Sequence, residues 1–485
     1  MQGTRTVSFD GLLAGIRRTT ERLAESGVAA GDRILIAGWN SADWIVNFWA
    51  CQQLGAVPAL ANAWWSETEV REAIDLLQPA AVLADRANAA KLPSPCRRLG
   101  WETDTSAEAS ATGPADADGG PVNEDAPAVI IFTSGTGGRP KAVELPHRSL
   151  LANLQMLLQL THRLPDEVDE KSGETVLHTG PLFHVGGPQL LLRSAAVGNT
   201  LILPAGRFDP AELLALIERH GITRWSAVPT MVTRLLDHPD LRVRDLRSLR
   251  ALTIGGAPVH AELLERVRRD LPAVRAGVPT GYGLTENGGQ ATAASGRDTL
   301  QRPGSAGKPL PCVEIQFQPQ EGLPDPEVLV RSPTQMTRYI GLGESPIDDD
   351  GWLHTGDLGH LDDQGHLWIT GRAKELIIRG GENIAPASVE RALTSIQGVT
   401  EAAVIGIPHP DLGEEVCAFV VVAEGGLTAE ALSRQLRGQL ASFAVPTAWH
   451  LQREPLPTNQ TGKIDKPLLV SRARASAADA SDSVP

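Results

Sequence analysis

Short apolar runs alternate with amphipathic stretches through roughly the first 300 residues, and this alternation restricts the fold more than any other feature. Phe9, Leu12, Leu13, Ile16, Thr20 and Leu23 fall at helical spacing, and Gly27 ends the run. Arg33 to Ala37, RILIA, reads as a short buried strand. Ser41 is placed to cap a second helix that runs through Leu54 and stops at Gly55. Ser66 and Glu69 have capping-box spacing and open a helix that Pro79 terminates. AAVLA, 80–84, is the next strand. Such alternation predicts a parallel sheet with helices on its faces.

The pattern breaks at 102–127, a stretch rich in Ala, Gly, Asp and Glu with no Lys or Arg, which reads as a mobile acidic surface loop. From 304 to 370 the chain turns Gly/Pro-rich with short β runs, VEIQF and EVLVR, predicting a small β subdomain. After Arg372 a new unit begins, with a helix near 386–396, strands at 401–407 and 416–422, a helix at 428–441 and a last strand near 448. Residues 471–485 read as a frayed tail.

Of the 485 residues 42 % are apolar, enough for a sizeable core, and the net charge is −14. That charge argues against nucleic acid or an anionic membrane as the main partner. Cys51, Cys96, Cys312 and Cys417 form no CxxC and no Cys/His pattern of zinc spacing. The opening MQGTRTVSFD has no apolar signal region, and no run of 18 apolar residues exists. The expectation is a cytoplasmic protein without a membrane span. Only seven of the 44 basic residues are lysines, so each position that stays Lys invites a question.

The segment 129–145, VIIF–TSGTGGRPK–AVEL, is the strongest local signal for chemistry. A buried strand runs into a loop of Gly, Ser and Thr that ends in Lys141. Glycines let successive backbone N–H groups face one anion, the hydroxyls of Thr133, Ser134 and Thr136 add donors, and Lys141 adds charge. The spacing is not that of the P-loop, and the residues after Lys141 read as a strand where a P-loop would open a helix. A plain surface turn is the alternative.

Further motifs occur in a fixed order. They are LFHVGG at 182–187, TIGGAPV at 253–259, GYGLTE at 281–286 and GSAGKPLP at 304–311. WLHTGDLG lies at 352–359, GRAKELIIRGGENIAPASVE at 371–390 and PTNQTGKIDK at 457–466. In these strings, from about residue 6 to 470, the chain resembles the adenylate-forming superfamily, in its acyl-CoA synthetase branch. The family's first strands are expected to be missing at the N-terminus.

The resemblance implies an α/β fold. A large N-terminal domain (1–371) of βαβ sheets with a small β subdomain is followed by a hinge at 372–376. A small mobile C-terminal α+β domain (377–470) and a disordered tail (471–485) complete the chain. It also implies a ligase that uses ATP, Mg²⁺ and coenzyme A. Thr133, Ser134, Gly135, Thr136, Gly137, Gly138 and Lys141 would hold phosphates, with Thr285 beside them and Glu286 on the metal. Tyr282, Gly256, Ala257 and Pro258 would meet adenine, while Asp357, Arg372 and Ile369 would complete the nucleotide site. Lys463 would be the catalytic lysine of adenylation, Lys374 the hinge, and Gly380 and Gly381 the border of the pantetheine tunnel. His184, Val228, Met231, Gly255, Gly281, Leu284 and Gly288 would line the acyl pocket. The several glycines there suggest room for a bulky or alicyclic acid.

The segment around His184 has no Asp where amino-acid-activating relatives place one, which points to a plain carboxylic acid. Free CoA is the expected acceptor, with a separate carrier protein as the alternative. One departure stands out. The family loop usually has a hydroxyl residue where this chain has Gly137, and Gly where it has Ala142. A hydrogen bond to a charged group contributes about 1.5–3 kcal/mol, so its loss would slow ATP use by about one to two orders of magnitude. Three other readings stay open: an enzyme that only converts acyl-AMP supplied by a separate adenylating enzyme, a user of adenylates without CoA, or a nucleotide-binding regulatory protein.

Overall fold

The computed structural model describes residues 1–3, 5–106, 122–133, 140–164, 166–167, 173–206, 208–256, 259, 261–274, 278–323, 325–423, 427–459 and 462–481. The N-terminal part is built on two sheets with helices packed against them. In the seven-stranded sheet, Val57–Ala61, Arg33–Ala37, Ala81–Ala84 and Arg98–Leu99 run parallel, with Pro127–Thr133 parallel to Val57–Ala61. Lys141–Pro146 then returns antiparallel to Pro127–Thr133. The connection spans residues 134–140, too short for a helical crossover, so the chain can only turn back. Arg338–Ile340 closes that edge, antiparallel to Lys141–Pro146. The second sheet, Ala251–Ile254, Arg224–Ala227, Thr175–His178 and Thr200–Ile202, is wholly parallel.

The helix signals read from the sequence operate as expected. The Ser41 hydroxyl accepts from Trp44 N–H, and Gly55 ends that helix at φ 75°. Ser66 and Glu69 satisfy each other's backbone in a capping box. Ile34, Ile36, Ile131, Trp44 and Phe48 are buried in one face of the large sheet's core. Trp225, Leu214, Ile217 and Val232 fill the core of the second.

The β subdomain is an antiparallel sheet of Glu314–Gln318, Glu327–Arg331, Leu353–Leu361 and Leu367–Arg372. Thr280–Leu284, Gly289–Ala294 and Lys308–Pro309 form a smaller antiparallel sheet. The C-terminal unit holds Val399–His409 against Gly413–Val422, with Ala448–Gln452 parallel to the latter.

Three expectations need correction. Residues 102–106 are not a loose loop. Trp101 is buried, Thr103 bonds Asp43 through both N–H and hydroxyl, and Arg18 and Arg22 donate to the carbonyls of Asp104 and Glu102. The rest of that acidic stretch, 107–121, lies outside the described residues. The helix expected at 428–441 stops at Leu436. The tail expected to fray from 471 is helical over Lys466–Ser481, with Leu469 and Ala473 buried against Ile405 and Phe419. In addition, a hairpin of Ile377–Arg379 and Glu382–Ile384, not anticipated from the sequence, precedes the first C-terminal helix. Its two turn residues, Gly380 and Gly381, have φ of +59° and +87°, the conformation a two-residue hairpin turn demands.

Candidate active site

The chain has two tyrosines, and each donates its hydroxyl to a carboxylate. Tyr282, on the strand Thr280–Leu284, donates to Asp357 Oδ2 at 2.6 Å. Arg372 Nε donates to the other oxygen, Oδ1, at 2.7 Å. Strand register explains the second bond, because Asp357 and Arg372 are direct partners on neighbouring strands. The Asp357 side chain is buried, whereas that of Arg372 is 60 % exposed. Burial, then the Asp357 charge, pushes the Tyr282 phenol well above its ordinary range, so it stays a donor. Ile369 and Tyr282 both pack against the buried cluster of Ala291, Leu310, Val328 and Leu367.

Lys463 approaches this group from the C-terminal unit. Desolvation, then the Arg372 guanidinium, lowers the pKa of its ammonium, and Asp357 opposes that shift. Its Cε lies 3.6 Å from where a Cβ on Gly256 would stand, and Gly256 itself has φ +78°. The loop that carries Lys463 is clasped by the helix Pro229–Leu236: the Thr230 hydroxyl donates to the Gly462 carbonyl. Gly462, at φ +79°, sits so close that a Cβ would lie 2.9 Å from Val228 Cγ2 and 3.0 Å from Met231 Cε. Two expected pocket residues, Val228 and Met231, therefore form the seat of the loop that carries Lys463.

His184 follows buried Leu182 and Phe183 in the turn before the helix Gly186–Val197, and its ring leans on Phe183 at 4.9 Å. Its Nε2 has no hydrogen-bond partner among the described residues. Burial, and then the nearby Lys463 charge, pushes its pKa down to about 4, so it is neutral near pH 7.

At the mouth of the Gly/Ser/Thr loop, Lys141 pairs with Thr133. Its Nζ stands 4.5 Å above the centre of the Tyr339 ring, and Tyr339 Oη donates to Glu286 Oε1 at 2.9 Å. Glu286 lies in a single turn, Thr285–Asn287, that Gly288 closes by donating to the Thr285 carbonyl. Ser134, Gly135, Thr136, Gly137, Gly138, Ala257 and Pro258 lie outside the described residues.

The glycine reading of the acyl pocket needs correction. A Cβ at Gly281 would meet the Gln290 amide and the Thr292 carbonyl, and one at Gly288 would meet Ser149 and the Thr334 carbonyl. Those glycines serve close packing of protein on protein. Only Gly255 of the three has nothing within 4 Å of a Cβ, so glycine number does not translate into ligand room. Leu284 ends its strand directly before the Thr285 turn. The hairpin that Gly380 and Gly381 turn is tied to the β subdomain, where Asn383 donates to the Gly322 carbonyl. Lys374 is exposed in a short turn, Ala373–Glu375. Tyr339 and Thr230 were not singled out by motif. The rarity of tyrosine in this chain is the signal that could have found the first.

This geometry coincides with a family match along most of the chain. Residues 1–340 match the model described as AMP-binding enzyme, and residues 388–463 match AMP-binding enzyme C-terminal domain. The chain belongs to the AMP-binding enzyme family. It is 33 % identical to a feruloyl-CoA synthase from Amycolatopsis over 96 % of this chain and 93 % of that protein. It is 34 % identical to an octahydro-indenyl-propanoyl:CoA ligase of Mycobacterium tuberculosis, covering 91 % and 89 %. Among solved structures, ATP-bound MatB from Rhodopseudomonas palustris superposes with TM-score 0.83 at 28 % identity, covering 97 % of this chain and 94 % of that one. O-Succinylbenzoate-CoA synthetase from Bacillus subtilis, bound to its acyl-adenylate, gives 0.78 at 29 %, covering 96 % and 94 %. As an AMP-binding enzyme with these relatives, the chain is an acid–thiol ligase of the acyl-CoA synthetase kind.

The residues present suit a Mg²⁺ ion carried in with ATP. Among the described residues no group of three His, Cys, Asp or Glu could hold a metal by protein ligands alone. Mg²⁺ is commonly held by one carboxylate plus substrate phosphates, and Glu286, joined to Lys141 through Tyr339, supplies such a hard oxygen. No helix among the described residues is long and apolar enough to cross a membrane.

Proposed function

We propose that this ligase activates a carboxylic acid without an α-amino group, as an acyl-adenylate, and passes the acyl group to coenzyme A at the same site. The observation that carries this reading is the position of Lys463, brought by the C-terminal unit onto Gly256, Arg372 and Asp357 while the Gly380–Gly381 hairpin is tied to the β subdomain.

In the first step a carboxylate oxygen of the acid attacks the α-phosphorus of ATP, and the bond to pyrophosphate breaks. Negative charge accumulates around phosphorus as two anions meet. The Lys463 ammonium is aimed to meet it, and its proximity to Arg372 makes the pocket more positive still. Asp357 would accept from the ribose hydroxyls, its orientation set by Tyr282 and Arg372. Glu286 would hold the metal, which when bound neutralises phosphate charge on the departing pyrophosphate. Neutral His184 leaves the acyl site without a fixed cation of its own.

In the second step the CoA thiol sulfur attacks the acyl carbon, its proton leaves, and AMP departs with the bonding electrons. Lys463 has no role at that carbon. Residues 372–376 would act as a hinge, with Lys374 on it, carrying Lys463 out and the Gly380–Gly381 hairpin in. The domain boundaries 1–371 and 377–470 belong to this reading. The missing hydroxyl at Gly137 is read as slowing the first step, not abolishing it.

The test is ATP-dependent pyrophosphate release and thioester formation with fatty, aryl and alicyclic acids plus CoA, on wild type and Gly137→Thr. Acid-dependent release in the wild type, faster in the variant, supports the reading. Release from amino acids alone overturns the substrate class.

A further inference from the structure

Tyr339 touches two residues that belong to different parts of the nucleotide site. It lies on the edge strand Arg338–Ile340, directly opposite Val143. Alternation puts Lys141 and Val143 on one face of their strand, so Tyr339 shares that face with Lys141 on the diagonal. Arg338, one residue away, faces the other side and forms a two-pronged ion pair with Glu144. The Tyr339 ring thereby comes to lie 4.5 Å beneath Lys141 Nζ, and its hydroxyl reaches Glu286 Oε1. The backbone repeats the link, since Met336 N–H donates to the Glu286 carbonyl at 2.8 Å. The phenol is buried, which fixes its direction.

We propose that Tyr339 is a positioning residue for the metal–triphosphate, holding Glu286 by its hydroxyl and Lys141 by its ring. The bond engages only Oε1, and among the described residues no donor reaches Oε2. Glu286 is thus turned to offer one oxygen to a cation, not two. The ring face keeps the Lys141 ammonium at the mouth of the loop without a competing carboxylate, from which phosphate oxygens can take it over. A single side chain therefore sets both a metal ligand and a phosphate cation, and it does so from an edge strand outside every recognised motif.

This inference rests on the ATP-binding reading above, and the experiment separates the two. ATP is titrated into the full chain without acid, by calorimetry, with and without Mg²⁺, for wild type, Tyr339→Phe and Tyr339→Leu. Tyr339→Phe keeps the ring and loses the hydroxyl. It is expected to weaken MgATP binding about tenfold while leaving metal-free ATP unchanged, the size of one lost hydrogen bond to a charged group. Tyr339→Leu removes the ring as well and is expected to weaken metal-free ATP too. If Tyr339→Phe binds both forms as wild type does, or loses both equally, the assignment is overturned. If the wild type binds neither form, the adenylation reading itself fails. Should Tyr339→Leu not fold, the Phe variant alone decides the hydroxyl's role.

Discussion

Asp357 illustrates how much one side chain can carry at the residue scale. Its two oxygens accept from Tyr282 and Arg372 at 2.6 and 2.7 Å, with the carboxylate almost fully buried. Asp357→Asn keeps the shape but puts an amide where one donor now points. We expect a loss of about 1–3 kcal/mol in stability and weaker ATP binding, read from the denaturant midpoint and by calorimetry. Burial of His178 and His184 has its own consequence, since both are pushed down to about 4 from an ordinary 6.5. In that window the unfolded chain binds the protons first. The stability linked to these neutral rings is complete above pH 6.5 and is lost as pH falls toward about 4. Denaturant midpoints measured from pH 7 to 4 should fall less steeply in His178→Asn/His184→Asn than in wild type. At this scale the sequence was most legible where a motif string surrounds the residue, as for Lys463 and Asp357. It was least legible for Tyr339 and Thr230, whose roles come from strand register and a domain contact. The pocket glycines show the limit: a glycine states that a Cβ is unwanted, not whether protein or ligand takes its place.

Among elements, the proposed division between two half-reactions rests on two glycine turns. Gly462 lets the loop that carries Lys463 press onto Val228 and Met231 at a positive φ. Gly462→Ala would place a Cβ within 3.0 Å of both and adds about 1–2 kcal/mol of left-handed backbone cost. We expect pyrophosphate release to fall about tenfold or more, with conversion of supplied acyl-AMP and CoA unchanged. Gly381→Val acts on the other turn, at φ +87°, and should do the reverse. Stopped assays of the separate half-reactions check both. The βα alternation was readable because buried strands and capped helices announce themselves by period and punctuation. The antiparallel return at Lys141 is a consequence of loop length. The helix Lys466–Ser481 was hidden by its Ala- and Ser-rich, weakly amphipathic composition; what holds it is the burial of Leu469 and Ala473, a tertiary effect.

At the scale of the whole molecule, hydrogen bonds among the described residues join the small C-terminal unit to the rest at several points. Thr230 donates to Gly462, Arg234 to the Leu456 carbonyl, Arg391 to the Ile369 carbonyl and Asn383 to the Gly322 carbonyl. Hydrogen bonds of this kind suit the proposed domain swing, since each can be exchanged for water at little net cost. One site is proposed to serve two chemistries, with Lys463 needed only for the first. The decisive comparison sets wild type against Lys463→Ala in two assays: acid with ATP, followed by pyrophosphate, and synthetic acyl-AMP with CoA, followed by thioester. Lys463→Ala is expected to lose at least about a hundredfold in the first assay and to match wild type in the second. Equal losses in both assays, or none in the first, would contradict the division of labour at this site.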